Sequence, residues 1–591
     1  MSLDIARSIA FSGLSSTSVQ ISVTSSNISN ADTTGYTRKT ANQSSSVTNG
    51  VGTGATVTGI TSTVDKLLLK SLVSATSDLG SADTTNTYLT SLEKLYGSTS
   101  STDSSSTGTS LANSIASLES ALSSLASTPS SASLQSNVVS ALDDVASQLR
   151  ETSSGIQKLR SNADQDISSS IDSVNTDLQQ ISDLNAEIKQ TAAAGQSTAD
   201  LEDQRNTALQ DVASKMNVSY FTASNGDLQV YTTTGQALVD CSAHKISYTA
   251  AANVTSSTTY TAGSSSSGLS AITVNGVDVT SQITGGDIGA LVTLRDKTLP
   301  AAQSQLDQLA QQLASAMNSV SNSASTVPAP TSLTGTTSVT SATALSATGT
   351  VRIAVTDKSG NLVSYGDLDL SSYSTVGDLA TAINGISGLS ASFDSNGHLS
   401  VAATGSGNGV AINEMTSSVG SSGEGFSQYF GLNDLVTGTS ASDIAVKSSV
   451  QSGNSQLQLA TLDSSSSLTV GSSVLSSGSA TVVNSFHDAL TSSRSFASTG
   501  GLAATTGSFA DYASSIVADV ANKSSQASTN YTAKETAQST YASSLSSQSG
   551  VNLDEESANL STLQNQYSAA SALIQAINSM YSALLSAVKS S

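Results

Sequence analysis

The sequence has little of what a compact enzyme uses to build its core. Trp is absent, aromatic residues make up 4% and charged residues 11% of the 591 residues. With so few large side chains, long helical bundles and small β domains are favoured over a dense globule. Ser and Thr are abundant, yet the apolar residues recur too regularly for a disordered chain.

Cysteine, proline and basic residues are also scarce. The single cysteine, Cys241, excludes an intramolecular disulfide and a cysteine-rich metal site. Only four prolines interrupt the chain, so long helices can form. The net charge of −22 argues against nucleic-acid partners and anionic membrane surfaces, because both require clustered Lys and Arg.

Long uninterrupted apolar stretches are missing as well. No segment approaches the roughly 20 apolar residues of a membrane span. The N-terminus lacks an apolar run followed by a small-residue cleavage site. We therefore expect neither a membrane-spanning segment nor a cleaved secretion signal.

Regularly spaced apolar residues mark both ends of the chain. A stripe this narrow needs a partner helix, so we predict an assembly interface, with packing between subunits favoured over packing within one chain. Only Glu556 breaks the C-terminal series. The predicted interface residues are Leu3, Ala10, Leu14, Ile21, Ile28, Leu553, Leu560, Leu563, Tyr567, Ile574, Ile577, Tyr581, Leu584 and Val588.

The order of patterns along the chain is helix, β, helix, β, helix. It predicts an α+β multidomain protein with terminal coiled-coil helices and a long α-helical rod bundle, into which β-rich outer domains are inserted. The predicted domains are a terminal helical domain (1–35 with 550–591), a helical rod (36–217 with 293–325 and 481–549), a β-rich domain (218–292) and a variable β-rich outer domain (331–480).

Several local patterns support this division. Helices are predicted at about 2–30, 64–96 and 111–216, with breaks near Pro129 and Gly195, and a hairpin or strand at 50–60. Within the third helical segment, Ile, Val and Leu residues from 167 to 188 form a seam with one polar position, Asn185. Asn-Gly pairs at 225–226 and 275–276 predict tight turns.

A search for catalytic and metal-binding patterns finds none. The three histidines, His244, His398 and His487, lie in different segments without metal-ligand spacing, and no nucleophile-elbow pattern is present. We therefore predict no catalytic, cofactor-binding or metal-binding residues.

Asp554, Glu555 and Glu556 form the densest acidic cluster. A helix start is favoured over a metal site, with Asn552 as the N-cap and Glu555 in a capping box.

Two runs resemble signatures of a known family. The N-terminal run Ser26-Asn-Ile-Ser-Asn-Ala-Asp-Thr-Thr-Gly-Tyr-Thr-Arg38 and the C-terminal run Gly550-Val-Asn-Leu-Asp-Glu-Glu556 resemble those of bacterial flagellar axial proteins. Within that group the chain is most similar to the hook-associated proteins. The matching motif residues are Asn27, Asn30, Gly35, Tyr36, Asn552, Leu553, Glu555 and Glu556.

The resemblance implies a structural role without enzymatic activity or cofactor. It implies a ring of identical subunits at the junction of hook and filament, in contact with the hook protein and with a second, filament-side hook-associated protein. It also implies an extracellular location in the flagellum, type III export without signal cleavage, and an export chaperone on the C-terminal helix. A flagellin-like or hook-like subunit is the alternative, followed by a Ser/Thr-rich surface adhesin and an enzyme within residues 331–480.

Overall fold

The structure, a computed structural model, describes residues 3–48, 51–97, 110–263, 268–453, 456–476 and 478–589. About 54% of the chain is helical and 19% lies in strands. This mixture of long helices with many short strands confirms the predicted α+β multidomain class.

Helices provide most of the regular structure. The predicted segments correspond to α1, α2 and α3–α5, and the predicted breaks fall at Pro129 and at Gly195, which has a φ of +71°. The α-helices of the described residues are α1 (Leu3–Ser29), α2 (Lys66–Leu95), α3 (Leu111–Ser127), α4 (Ala132–Ala193), α5 (Ala199–Lys215), α6 (Gly286–Thr293), α7 (Leu299–Asn322), α8 (Val376–Asn384), α9 (Phe426–Phe430), α10 (Ser448–Gln451), α11 (Ala480–Thr491), α12 (Phe509–Ser549) and α13 (Leu553–Lys589).

The strands are short and pair antiparallel in sheets of two or three. Their bounds are β1 (Lys39–Thr48), β2 (Val51–Ser62), β3 (Val218–Thr222), β4 (Leu228–Thr232), β5 (Ala237–Val239), β6 (Ile246–Ser247), β7 (Thr273–Val274), β8 (Val277–Asp278), β9 (Ser332–Ser338), β10 (Ala347–Thr348), β11 (Thr350–Thr356), β12 (Leu362–Asp369), β13 (Leu389–Phe393), β14 (His398–Ala403), β15 (Gly409–Asn413), β16 (Ser418–Val419), β17 (Val436–Thr437), β18 (Ala445–Val446), β19 (Thr461–Leu462), β20 (Leu475–Ser476), β21 (Arg494–Phe496) and β22 (Thr505–Gly507). The sheet orders are β1-β2, β3-β4-β5, β6-β7-β8, β12-β11-β15, β13-β14-β9, β10-β16, β17-β18, β19-β20 and β21-β22.

The predicted turns are confirmed. Asn275 and Gly276, with φ of 50° and 79°, join β7 to β8, as both residues of a type I′ turn require. The strand predicted at 50–60 is β2, apart from residue 50, which lies outside the described residues. Its partner β1 escaped prediction because Ala41 and Val47 are its only apolar residues.

The chain divides into two compact units. The first contains Met1–Tyr88, Arg160–Asp296 and Ser525–Ser591, and the second contains Leu89–Leu159 and Lys297–Ser524. The finer four-part division stays a prediction.

In the first unit, the seam of α4 is buried from Ile167 through Ile188. The polar position in that seam, Asn185, is also buried and binds the β3-β4-β5 sheet. Its Nδ2 donates to the Leu228 carbonyl at 2.9 Å, and its Oδ1 accepts from the Leu228 N–H at 3.0 Å and from Arg205 at 2.8 Å. Asn185 therefore fixes the register between helix and sheet.

In the second unit, the apolar core lies between two three-stranded sheets and α8. Thr375 and Asp378 form a capping box that begins α8, with bonds of 3.1 and 3.0 Å. Arg352 of β11 is buried and makes two parallel hydrogen bonds of 2.7 Å to the Asp367 carboxylate. Such a two-point pair fixes the angle between strands as well as neutralising charge.

We predict that Asn185→Leu destabilises the first unit by about 3 kcal/mol, although Leu completes the apolar seam. The buried N–H and C=O of Leu228 would lose their side-chain partners. The free-energy penalty of these unpaired groups exceeds the stabilisation from the additional buried apolar area. Chemical denaturation measures the effect. Gln190→Leu, at an exposed position of α4, is the control and should change stability by less than about 0.5 kcal/mol.

The partly buried carboxyl group of Asp177 on α4 should make the stability of the fold depend on pH. Burial, with a smaller contribution from Asp211, raises the pKa of Asp177 to about 6. Because this folded-state pKa lies above the unfolded value of about 3.9, the stability contributed by protonated Asp177 is lost as pH rises through 6. The melting temperature of the wild type should therefore fall more between pH 5 and pH 8 than that of Asp177→Asn. An equal fall in both proteins would contradict this assignment.

Candidate functional site

The chain turns sharply where α1 ends. Asn30 Nδ2 donates to the carbonyl of Ser26 at 2.9 Å, which satisfies the last turn of the helix. Gly35 has a φ of 80°, and a Cβ there would lie 2.4 Å from Thr207 Oγ1. Only glycine fits this position, so the motif residues Asn30 and Gly35 direct the chain from α1 into β1.

Asn27 uses its whole amide at this turn. Its Oδ1 accepts from the N–H of Lys39 and from the hydroxyl of Tyr36, each at 3.0 Å. Its Nδ2 donates to the Lys39 carbonyl at 2.9 Å and to Glu556 Oε2 at 3.0 Å. Two donated and two accepted bonds are the full capacity of an amide side chain, so no other residue type can replace it without loss.

Glu556 joins the two ends of the chain. Its side chain is 2% exposed, and besides Asn27 it accepts from Arg38 Nε at 2.7 Å. Arg38 Nη2 also donates to Glu555 Oε1 at 3.0 Å, and the Arg38 N–H donates to the carbonyl of Ser549 at 2.8 Å. The hydrogen bond to Glu556 raises the pKa of Arg38, so the guanidinium stays charged. We call Asn27, Tyr36, Arg38, Glu555 and Glu556 the terminal cluster.

The predicted cap of α13 is confirmed. Asn552 Oδ1 accepts from the N–H groups of Asp554 and Glu555 at 3.0 and 3.3 Å. The capping box predicted with Glu555 is not completed. Its carboxylate accepts from Arg38 instead of from the N–H of Asn552. In the described part of the chain, no group of three His, Cys, Asp or Glu residues is placed to hold a metal ion.

A second polar group lies beside the terminal cluster. Lys39 Nζ contacts the Asp203 carboxylate, lies 3.4 Å from Asp200 Oδ1 and sits 3.9 Å from the centre of the Tyr36 ring. Thr37 donates to Asp203 through its N–H at 2.9 Å and through its hydroxyl at 2.7 Å. Burial raises the pKa of the Tyr36 phenol. We call Thr37, Lys39, Asp200 and Asp203 the lysine cluster.

The terminal helices α1 and α13 pack against each other within the chain. Of the predicted interface residues, Ala10 and Ile577 are buried, and Leu553, Tyr567, Leu584 and Val588 are exposed. The half-buried ones are Leu3, Leu14, Ile21, Ile28, Leu560, Leu563, Ile574 and Tyr581. Partial burial within one chain leaves the role of these residues in assembly a prediction.

Four sequence-family models match the chain, and all describe flagellar proteins. The helical domain of the flagellar hook-associated protein FlgK matches residues 97–329, and the flagella basal body rod protein matches 8–37. The C-terminal model of the flagellar basal body rod FlgEFG protein matches 542–587, and the flagellin hook IN motif matches 350–405. Together these matches support a FlgK-like flagellar hook-associated protein. The two terminal matches contain Asn27 and Glu556, the residues that join the chain ends.

Among solved structures, the chain is similar to the flagellar hook junction protein FlgK from Burkholderia pseudomallei. The two are 16% identical, and the similarity covers 80% of this chain and 98% of that chain with a TM-score of 0.45. A likeness at this level carries no argument for function. No curated protein matches the chain significantly.

One helical region meets the length and composition of a membrane span, which the sequence analysis does not anticipate. Within residues 509–589, an 18-residue window reaches a mean hydropathy of 1.2, and 6% of it is buried. By length and composition alone, this helical region is apolar enough to cross a membrane. No long apolar run indicates this window in the sequence, because Ser and Ala separate its Leu and Ile residues.

Arg38, Thr37, Lys39, Asp200 and Asp203 were not among the predicted site residues. A signal for them existed, since Arg38 and Lys39 are adjacent cations in a chain with only 22 Lys and Arg residues. The break in the C-terminal heptads was likewise a signal. Glu556 is no interruption of an interface but the anchor of α13.

We predict that Glu556→Gln loosens α13. The substitution keeps an acceptor for Asn27 but removes the charge that binds Arg38, at a cost of about 2 kcal/mol. Limited proteolysis within residues 553–589 should accelerate roughly tenfold or more, since cleavage follows the population of the open form. Glu555→Gln, whose side chain is more than half exposed, is the control and should change the rate little. Equal rates for Glu556→Gln and the wild type would contradict the anchoring role.

Proposed function

We propose that this protein is a structural adaptor that connects the flagellar hook to the filament and polymerises through α1 and α13. The observation that carries the proposal is a set of large apolar side chains on α1 and α13 that are at least half exposed. They are Phe11, Leu573, Met580, Leu584, Leu585 and Val588. A patch of this kind on a water-soluble protein marks an interaction surface.

The relative position of the two helices explains why the last turns of α13 remain uncovered. Asp4, near the first described residue of α1, contacts the hydroxyl of Tyr581. The last turns of α13, with Leu584, Leu585 and Val588, therefore extend beyond the described part of α1. Neighbouring subunits that stack with the same helices side by side would bury these turns.

The proposed partners follow from the family. They are identical subunits in a ring, the hook protein, a second hook-associated protein on the filament side, and an export chaperone on the C-terminal helix. We infer an extracellular place in the flagellum and export without a cleaved signal. The proposal includes no enzymatic activity, no cofactor, no nucleic acid and no membrane partner. The net charge of −22 supports the exclusion of nucleic acid.

A polymer is favoured over membrane insertion as the fate of α13. Gln575 and Asn578 lie within the apolar part of the helix, and a polar amide side chain is costly inside lipid. Between helices of neighbouring subunits, the same side chains and the many Ser and Ala residues permit close approach and hydrogen bonding.

The test uses a strain that lacks the chain. We expect it to form hooks, to lack filaments and to release filament subunits into the medium, and the wild-type gene should restore filaments. The double variant Leu584→Ser, Leu585→Ser should be exported yet leave most cells without filaments, because both side chains are exposed within the chain and would lose their apolar contact with a neighbouring subunit.

Ala583→Ser, an exposed position in the same turn, is the matched control and should restore filaments fully. Normal filaments in the deletion strain would contradict the junction role. Normal filaments with the double variant would contradict polymerisation through α13. So would a double variant that still assembles but no longer binds liposomes that the wild type binds.

A further inference from the structure

The pair Lys39–Asp203 differs from the other Lys–Asp pairs of the described residues. The Lys39 side chain is 4% exposed and that of Asp203 is 8% exposed. In the pairs Lys189–Asp227, Lys215–Asp287, Lys523–Asp519 and Lys534–Asp78, the lysine side chains are 34–51% exposed. A surface pair needs no special explanation, whereas a buried ammonium and carboxylate lose the water that stabilises their charges.

The groups around this pair are those that amide formation needs. The N–H and hydroxyl of Thr37 donate to the Asp203 oxygens at 2.9 and 2.7 Å. The Tyr36 ring covers Lys39 Nζ at 3.9 Å from its centre. The second carboxylate, Asp200, has Oδ1 3.4 Å from Lys39 Nζ, and its side chain is 71% exposed, so it can exchange protons with water.

We propose that Lys39 and Asp203 join in an intramolecular isopeptide bond, with Asp200 as the proton-transfer group. Starting from the ion pair, the Lys39 Nζ–Asp203 Cγ bond forms, two Nζ–H bonds and one Cγ–O bond break, and both protons pass to the departing oxygen. The product is a secondary amide, and one water molecule leaves. No oxidant, reductant or co-reactant takes part.

The steps balance in protons. Transfer of a proton from the Lys39 ammonium to Asp203 Oδ2, the oxygen that it contacts, gives an amine and a carboxylic acid without changing the net charge. The amine then attacks Cγ, and the Thr37 hydroxyl, which donates to Asp203 Oδ1 at 2.7 Å, stabilises the negative charge that develops on that oxygen. Asp200 accepts the second Nζ proton and returns it to the departing hydroxyl, which leaves as water.

Proximity supplies the driving force that free amines and acids lack in water. Groups held in contact by a folded chain react as if at very high effective concentration. Lys39 Nζ is held by the Thr37 carbonyl at 2.9 Å as well as by Asp203, so the amine is fixed beside its target. The resulting bond would tie β1 to α5 immediately beside the terminal cluster. It does not depend on the proposed junction function.

Intact-mass spectrometry of the full-length protein, folded and incubated at neutral pH, tests the proposal. The wild type should be lighter than its sequence mass by one water molecule, and protease digestion should release one branched peptide that contains Lys39 and Asp203. Lys39→Arg should have its full sequence mass.

Asp200→Asn keeps the buried pair intact and serves if Lys39→Arg fails to fold. It should retain the circular dichroism of the wild type but lose water many times more slowly. Lys189→Arg, in an exposed pair, should show the same loss of water as the wild type. A wild-type protein with its full sequence mass, or with Lys39 and Asp203 in separate peptides, would overturn the proposal.

Discussion

A buried carboxylate at the start of the C-terminal helix determines how the two ends of this chain meet. Glu556 is held by the amide of Asn27 from α1 and by the guanidinium of Arg38 from the turn before β1. A charge with so little access to water is tolerated only when its partners are complete, and removal of any partner leaves the others unsatisfied. The turn at Gly35 brings Arg38 to this carboxylate, and the direction in which α13 leaves depends on the contact.

Polar side chains also fix other contacts between a helix and a neighbouring strand or loop. In five places among the described residues, an asparagine at a helix position donates to and accepts from the backbone of one residue, as a neighbouring strand would. The pairs are Asn27–Lys39, Asn175–Ile246, Asn185–Leu228, Asn318–Val436 and Asn384–Ala391. A chain with 4% aromatic residues lacks large side chains for interlocking its layers. Directional hydrogen bonds from asparagine side chains instead set the register between helices and their neighbouring segments.

Much of the architecture could be predicted because it depends on local periodicity. The helix bounds, the break at Gly195 and the turn at Asn275 follow from spacing and backbone preference. The polar contacts could not be predicted, since Arg38 and Glu556 are 518 residues apart and no local pattern indicates that they meet. The seam position of Asn185 and the heptad break at Glu556 were visible as exceptions, yet their meaning depends on the backbone groups they contact. Strand β1 was missed for a related reason, because its pairing with β2 compensates for its polar sequence.

Arg38 and Glu556 act together to anchor α13. A double-mutant cycle with Arg38→Gln and Glu556→Gln, followed by hydrogen exchange of the amides in residues 553–563, measures their coupling directly. We expect a coupling free energy of about 1.5–3 kcal/mol in the opening of this segment. Additive effects of the two substitutions, with a coupling near zero, would contradict it.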